Sequence, residues 1–284
     1  MNDNRYYSDL ISEINFIVEK YKNVSVTGLC NSILGFNIPI ITIGDGAQKI
    51  VYLGGQSEYD KLSPYILVRY IKDICSLYQE NGAVFGFSAE YILKKYTIVV
   101  IPILNPDGLN YCDFGLLENN PLKERVLKLN GGSQDFSHWR GNARGIDLRN
   151  NYVLGDFADG VEPEPEVGAL CNFLRFGMPP EMIFSFDQTD KIDSTIYFGD
   201  GEVASKIAIA LTQMTGFKRV FSEDGEPSNT LMSWSNQVLG RKTFLVEISN
   251  CDTIDAKHQK ENFFAKYLQL RKMLFCAPIL NKIK

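Results

Sequence analysis

The chain has 284 residues, of which 45% are hydrophobic and 12% aromatic, so it is long enough to bury one large core. Its 29 basic residues against 34 acidic ones leave a formal net charge of −5, which excludes a protein that binds nucleic acid or an anionic membrane through a basic face. No apolar stretch reaches the ~18 residues of a membrane span and no signal peptide opens the chain, so we expect a soluble, cytoplasmic protein.

Helical and extended segments alternate along the first part of the chain. Apolar residues recur at helical spacing over residues 10–21, and the β-branched run over 38–43 predicts a strand that ends in a glycine-bearing turn. A strand over 50–53, a helix over 64–77 and a buried strand over 96–104 follow. Because strands and helices alternate, we expect a sheet with helices on both faces.

The second part of the chain opens with a long polar segment over 110–152, whose length is typical of a functional loop. No internal repeat or linker divides the sequence, so we expect a single domain over residues 1–284. The remaining predicted elements are helices over 166–176, 203–215 and 257–275 and strands over 182–186, 195–198 and 243–248.

Five short segments form an ordered set of motifs. They are Asn-Ser-Ile-Leu-Gly-Phe-Asn-Ile at 31–38, Pro-Ile-Leu-Asn-Pro-Asp-Gly at 102–108, Asn-Ala-Arg-Gly-Ile-Asp-Leu-Arg-Asn-Asn-Tyr at 142–152, Glu-Pro-Glu at 164–166, and Trp234 followed thirteen residues later by Glu247. Their order and spacing resemble the zinc carboxypeptidase family, especially its bacterial branch that cleaves γ-D-glutamyl-diamino acid bonds of cell-wall peptides. The resemblance implies one α/β domain with a mixed, mostly parallel sheet of about eight strands and the site at the strands' carboxyl ends.

The resemblance also implies a metal site, from which this sequence departs. The family holds zinc with His, Glu and a second His, the first two in a His-x-x-Glu pair, whereas this chain reads Gly-Gly-Gln-Ser-Glu-Tyr after its second predicted strand. One alignment puts Gln56 and Tyr59 at the two ligand positions, and the other keeps Glu58 but puts Gly55 in place of the histidine. The third ligand position is Asp187. Because neither alignment supplies a histidine, we expect no bound cofactor where the family has zinc.

The substrate-binding positions that the resemblance implies have changed as well. Glu247 aligns with the family's catalytic glutamate, but a general base alone cannot replace a metal that acidifies the attacking water. The family's adjacent Asn-Arg pair is transposed, and an asparagine stands where some members have a tyrosine. We expect the three arginines between positions 140 and 149 to form an anion-binding cluster. The predicted substrate-binding residues are Arg140, Arg144, Arg149, Asn150 and Asn236.

These departures favour a non-catalytic relative that binds a peptide or an amino acid, with a cell-wall fragment among the candidate ligands. A second hypothesis is an active metallohydrolase in which Gln56 or Glu58 and Asp187 form an altered site, because amide and carboxylate oxygens suit Mg²⁺ or Ca²⁺ better than zinc. A third is a scaffold that pairs with an active relative, which an exposed apolar patch would indicate. The oligomeric state does not follow from the sequence.

Overall fold

The computed structural model describes residues 5–116, 118–153, 162–222, 229–250 and 259–282. The strands are β1 (Val24–Asn31), β2 (Asn37–Ile43), β3 (Gln48–Leu53), β4 (Ala83–Val84), β5 (Phe87–Ser88), β6 (Tyr96–Ile101), β7 (Met182–Thr189), β8 (Thr195–Phe198), β9 (Lys218–Phe221) and β10 (Lys242–Ser249). The helices are α1 (Arg5–Lys20), α2 (Leu62–Gln79), α3 (Ala89–Lys95), α4 (Pro106–Phe114), α5 (Lys123–Leu129), α6 (Pro165–Asn172), α7 (Glu202–Thr215), α8 (Leu231–Trp234) and α9 (Gln259–Leu280).

Eight of these strands form one sheet, in the order β1-β2-β6-β3-β7-β10-β8-β9, and β4 and β5 form a separate hairpin. Four of the seven pairings in the large sheet are parallel, and they include the three that join the central strands β6, β3, β7 and β10. The pairings of β2 with β1 and β6, and of β8 with β10, are antiparallel. The prediction of a single α/β domain with a mixed, mostly parallel sheet is therefore confirmed.

Helices cover both faces of the sheet, because the central strands carry apolar side chains on both sides. On one face Tyr52 and Phe184 pack in a cluster with α1, α2, α7 and α9, and the Tyr52 hydroxyl donates to the carbonyl oxygen of Leu274 in α9 at 2.7 Å. On the other face Val51 and Ile183 pack in a cluster with α6 and α8. The strand ends between these two layers are the place where an open α/β sheet accommodates a ligand.

The structure differs from the predicted elements at several points. The segment 110–152, predicted as a loop, contains the end of α4 and all of α5, which pack against the Tyr111 and Trp139 rings. The buried strand ends at Ile101 and not at residue 104, because Pro102 cannot donate to a strand ladder. Strands β1 and β9 were not predicted, and residues 257–258 of the predicted last helix lie outside the described residues. No helix in the described ranges is long and apolar enough to cross a lipid bilayer.

Candidate functional site

Three neighbouring parallel strands end at one edge of the sheet and bring several predicted site residues together. Their register pairs Leu53 at the end of β3 with Ser185 on β7, and Asp187 on β7 with Glu247 on β10. The chain leaves β3 through Gly54, where a Cβ atom would lie 2.9 Å from a backbone carbonyl oxygen. Only glycine fits that approach, so the turn holds the next residues close against the end of β7.

Gln56 lies in this turn and is 4% exposed. Its amide nitrogen donates to the Ser185 hydroxyl at 2.7 Å, and its amide oxygen accepts a hydrogen bond from the hydroxyl of Tyr152. Both ends of the side chain are therefore bonded to the protein. Breaking either bond would leave a buried polar atom without a partner and destabilise the folded state, so the two contacts fix the Gln56 side chain in place.

Asp187 lies at the centre of a polar network. It accepts a hydrogen bond from the Ser57 hydroxyl at 2.5 Å, its Oδ2 lies 3.6 Å from a guanidinium nitrogen of Arg149, and its carboxyl group meets that of Asp60. Burial, then the charge of Asp60, raises the pKa of Asp187 well above the usual aspartate range. Because a negative charge on either carboxyl group opposes ionisation of the other, the two groups titrate together.

Asp60 was not predicted as a site residue. It is fully buried and accepts hydrogen bonds from the backbone N–H of Gly55 at 3.3 Å and of Ser63 at 2.9 Å, together with the Ser63 hydroxyl. Burial raises the pKa of Asp60 against these bonds. It therefore joins three elements of the site: the turn after β3, the first turn of α2 and, through Asp187, strand β7.

Glu58 and Tyr59 both contact Arg140. The Glu58 carboxylate is 1% exposed and accepts hydrogen bonds from Arg140 at 2.7 Å and from the backbone N–H of Gly141 at 3.2 Å. The guanidinium of Arg140 also lies over the Tyr59 ring, 5.3 Å from its centroid. The buried Glu58 carboxylate is thus compensated by a specific cation, as buried charges require.

Arg149 and Asn150 lie in a short 3-10 turn capped by Asp147. Two guanidinium nitrogens of Arg149 each lie 3.2 Å from an Asp147 oxygen, and the Asn150 amide donates to the same carboxylate at 2.9 Å. Although burial opposes it, the bonding to Arg149 holds the pKa of Asp147 below its usual range. Arg149 therefore has two carboxylate neighbours, Asp147 and Asp187.

A cavity of about 240 Å³ opens at the strand ends. The Glu247 carboxylate lies on its wall, accepting hydrogen bonds from Lys191 at 2.7 Å and from the Tyr197 hydroxyl at 3.1 Å. A larger cavity of about 410 Å³ lies elsewhere, beside Lys22 and Asp45, and contains none of the predicted site residues. The residues that line the smaller cavity include Gln56, Arg149, Asn150, Ser185, Asp187 and Glu247.

Two further predicted residues, Arg144 and Asn236, also lie apart from this cavity. Arg144 lies 3.4 Å from Glu164, and Asn236 lines a separate cavity with Gly199 and Lys242. The three arginines predicted as one anion-binding cluster each pair with a different carboxylate: Arg140 with Glu58, Arg144 with Glu164 and Arg149 with Asp147. Of the three, Arg149 alone lines the cavity that Glu247 lines.

The family comparison is consistent with this geometry. A model of the zinc carboxypeptidase family matches residues 10–175, which is more than half of the chain. The chain belongs to the zinc carboxypeptidase family. It is 28% identical over 146 residues to γ-D-glutamyl-L-diamino acid endopeptidase 1 of Lysinibacillus sphaericus, covering 51% of this chain and 37% of that protein. It is 25% identical over 198 residues to the uncharacterized protein YqgT of Bacillus subtilis, covering 63% and 53%.

Solved structures share the fold of this zinc carboxypeptidase relative. Bovine thrombin-activatable fibrinolysis inhibitor in complex with tick carboxypeptidase inhibitor superposes with a TM-score of 0.65 at 14% identity, covering 97% of each chain. A metallo-carboxypeptidase of Pseudomonas aeruginosa gives 0.65 at 13% identity, covering 96% of this chain and 68% of that one. At such identities the likeness shows the fold alone. The chain spans 37% and 53% of the length of its two curated relatives.

The residues at the strand ends do not fit the zinc ion of this family, which is held by nitrogen as well as oxygen ligands. Gln56 offers an amide that is already bonded at both ends, and Asp187 offers a carboxyl group that already accepts a hydrogen bond from Ser57 and contacts Asp60. Within the described ranges, no three His, Cys, Asp or Glu side chains form a group that could hold a metal ion. His138 is exposed, and His258 lies outside the described residues. We therefore assign no metal-dependent step to these side chains.

Neither of the two predicted alignments accounts for Asp60. It follows Gln56 by four residues, whereas the His-x-x-Glu motif has a spacing of three, so a search at fixed spacing selects Tyr59. The usable signal was the run Asp60-Lys61-Leu62-Ser63, in which an acidic side chain stands three residues before a serine at the start of a helix. That pattern predicts a helix-capping carboxylate, and hence a side chain fixed at the sheet edge.

Proposed function

We propose that this chain is a zinc carboxypeptidase relative that has lost the zinc ligands of its family and binds a peptide or an amino acid without hydrolysing it. The observation that carries the proposal is that the side chains at the ligand positions are already hydrogen-bonded to other residues of the protein. Gln56 is bonded to Ser185 and Tyr152, and Asp187 to Ser57 and Asp60. A metal could enter only by breaking buried hydrogen bonds, each of which costs about 1–3 kcal/mol when left unmade.

The cavity beside these residues supports the binding part of the proposal. It has the volume of a small side chain or peptide end, and it carries charged groups of both signs, Arg149 and Glu247. A site of mixed charge suits a ligand with a carboxylate and an amine, as peptides and amino acids have. The similarity to an endopeptidase of γ-D-glutamyl-L-diamino acid bonds makes a cell-wall peptide the ligand to test first.

A second candidate is an active metallohydrolase with oxygen ligands, and one observation favours it. Gln56 and Asp187 line the same cavity, with Asp60 directly behind Asp187. Carboxylate and amide oxygens are the ligands that Mg²⁺ and Ca²⁺ prefer. In this alternative Gln56 and Asp187 would hold the ion, with the Asp60 carboxyl group beside them.

Metal analysis and peptidase assays separate the two candidates. After dialysis against a weak chelator, we expect far less than one zinc ion per chain by elemental analysis. We also expect no hydrolysis of γ-glutamyl or ordinary peptides with Zn²⁺, Mg²⁺ or Ca²⁺ added. Near-stoichiometric zinc would contradict the loss of the ligands. Hydrolysis that depends on Mg²⁺ or Ca²⁺ would favour the second candidate.

Peptide binding is tested by thermal unfolding with a panel of γ-glutamyl and ordinary acidic peptides. Binding to the folded state raises the melting temperature, and an electrostatic contribution weakens with salt. Arg149→Ala should reduce the shift, whereas Arg144→Ala is a matched control, because the two side chains are similarly exposed at 37% and 40% and only Arg149 lines the cavity. No shift with any peptide, or equal shifts in both variants, would contradict binding in this cavity.

A further inference from the structure

The charges around the cavity are not equally available to a ligand. Arg149 already makes two contacts to Asp147 and lies near Asp187, so its positive charge is compensated by two carboxylates. Among the described residues, Glu247 has one cationic partner, Lys191. To bind Arg149, a ligand carboxylate must compete with Asp147 and Asp187. To bind Glu247, a ligand cation competes with Lys191.

The ion pair of that lysine with Glu247 is open to solvent. The Lys191 side chain is 58% exposed, and it lies in the turn that follows β7. Ion pairs between an exposed lysine and a carboxylate typically contribute only ~0–1 kcal/mol, because solvent screens them and the long side chain loses conformational entropy. The ion pair with Glu247 therefore opposes the exchange of this ammonium for another one only weakly.

The surroundings of the Lys191 ammonium show what group Glu247, which lines the cavity, can hold. The nitrogen lies 2.7 Å from a Glu247 oxygen and 3.0 Å from the Tyr197 hydroxyl, and it lies 5.5 Å from the centroid of the Tyr197 ring. A carboxylate, a hydroxyl and an aromatic face together are typical of a site for a primary ammonium group. The other oxygen of Glu247 makes no hydrogen bond with any described residue.

We infer that the cavity binds its ligand through a primary ammonium group, which takes the place of the Lys191 ammonium against Glu247 and Tyr197. This inference rests on the proposed function, since it names the chemical group by which the peptide or amino acid is recognised. Lys191 then acts as an internal competitor for the site. The amine can come from a peptide N-terminus or from a lysine-type side chain, which share this chemistry.

Three peptides distinguish the sources of the amine: Ala-Ala-Ala, with only an α-amine; N-acetyl-Ala-Ala-Lys, with only a side-chain amine; and N-acetyl-Ala-Ala-Ala, with neither. All three keep a free carboxylate. By calorimetry with the full chain, at least one amine-bearing peptide should bind ~10-fold or more tightly than the third, because a hydrogen bond to a charged group is lost without the amine. Glu247→Gln should remove that difference. Equal affinities for the three peptides would overturn the inference and leave peptide binding intact.

Substitution of Lys191 tests whether its ammonium competes with the ligand for Glu247. Lys191→Met should strengthen binding of the amine-bearing peptide several-fold, since no internal ammonium then has to leave Glu247. The matched control is Lys206→Met, which removes a partly exposed lysine paired with Glu202 on α7 and should leave the affinity unchanged. Unchanged or weaker binding in Lys191→Met would overturn the exchange. If no peptide of either panel binds to any variant, the proposed function fails and this inference fails with it.

Discussion

The carboxyl group of Asp60, at the entry to helix α2, meets that of Asp187, near the end of strand β7, behind the cavity wall. The contact joins two segments that are distant in sequence, and it occupies the place to which the family alignment assigns a metal ligand. Asp60 also accepts hydrogen bonds from Gly55 and Ser63. The pair is therefore both a cross-link and part of the site.

Replacing Asp60 tests the cross-link. Asp60→Ala leaves the buried backbone N–H and the hydroxyl of Ser63 without their acceptor, although the Gly55 N–H still donates to the Ser63 hydroxyl, so we expect a loss of about 3 kcal/mol in the free energy of unfolding. Asp60→Asn keeps an acceptor and a donor toward Asp187 and should lose about 1 kcal/mol. Urea denaturation measures both. The exposed Asp9→Ala is the control and should change stability by less than about 0.5 kcal/mol; a similar small change in Asp60→Ala would contradict the cross-link.

Rebuilding the zinc site tests which acidic residue occupies the second ligand position. Gln56→His with Asp187→His supplies two imidazoles facing the cavity, and Asp60 supplies the carboxylate, so the double variant should bind zinc. Adding Asp60→Asn should weaken zinc binding by at least about 10-fold. Adding Glu58→Gln should not, because Glu58 is bonded to Arg140. Calorimetric titration measures the affinities. If Glu58→Gln abolishes zinc binding and Asp60→Asn does not, the alignment that keeps Glu58 is correct.

Glu166 gives a pH dependence of stability. It is fully buried, one carboxyl oxygen has no hydrogen-bond partner among the described residues, and burial raises its pKa from 4.5 to about 7. Between these values the folded state binds more protons than the unfolded state, so stability falls as pH rises. The loss should approach an order of 3 kcal/mol above pH 7. Denaturation from pH 5 to pH 8 should show this slope, and Glu166→Gln should reduce it, while Asp60 and Asp187, whose pKa burial also raises, keep their own contribution; an equal slope in both proteins would contradict the assignment.

The pair of Glu58 and Arg140 can be measured by a double-mutant cycle. Because Glu58 is almost fully buried while Arg140 is 65% exposed, we expect a coupling free energy of about 1 kcal/mol, reduced by solvent at the arginine end. The exposed pair of Glu90 and Lys94 on α3 is the control and should give about 0.3–0.5 kcal/mol. Equal coupling in both pairs would show that burial of Glu58 adds nothing.

The elements of the fold could be predicted from the sequence where the pattern of apolar residues and the secondary-structure propensity indicate the same element. The apolar runs that became β3, β6, β7 and β10 are buried on both faces, and such strands read as continuous hydrophobic segments. The edge strand β9 was missed because all four of its residues are exposed, so burial imposes no pattern on them. Helix α5 was missed because a seven-residue helix contains too few apolar positions to show a period.

The site was predicted less completely, for physical reasons. Gln56, Asp187 and Glu247 were predicted from their alignment with the family's motifs, and the register of the strands brings them to one edge of the sheet. The arginines were assigned to one cluster from their loop location and the family resemblance, yet the turns between them send each side chain to a different acidic partner. An ion pair between residues as distant in sequence as Glu58 and Arg140 cannot be predicted from the spacing of charged residues.

The hydrogen bond from Tyr52 to the carbonyl of Leu274 has a consequence for the order in which the protein assembles. It connects the middle of the sheet to a helix more than two hundred residues later, and that helix completes the layer that α1, α2 and α7 form over one face of the central strands. During synthesis, that face stays without its last covering layer until residue 274 has left the ribosome. Contacts of such long sequence separation slow folding and leave apolar strands accessible in the meantime. Nascent chains of this protein are thus expected to need chaperone protection late in translation.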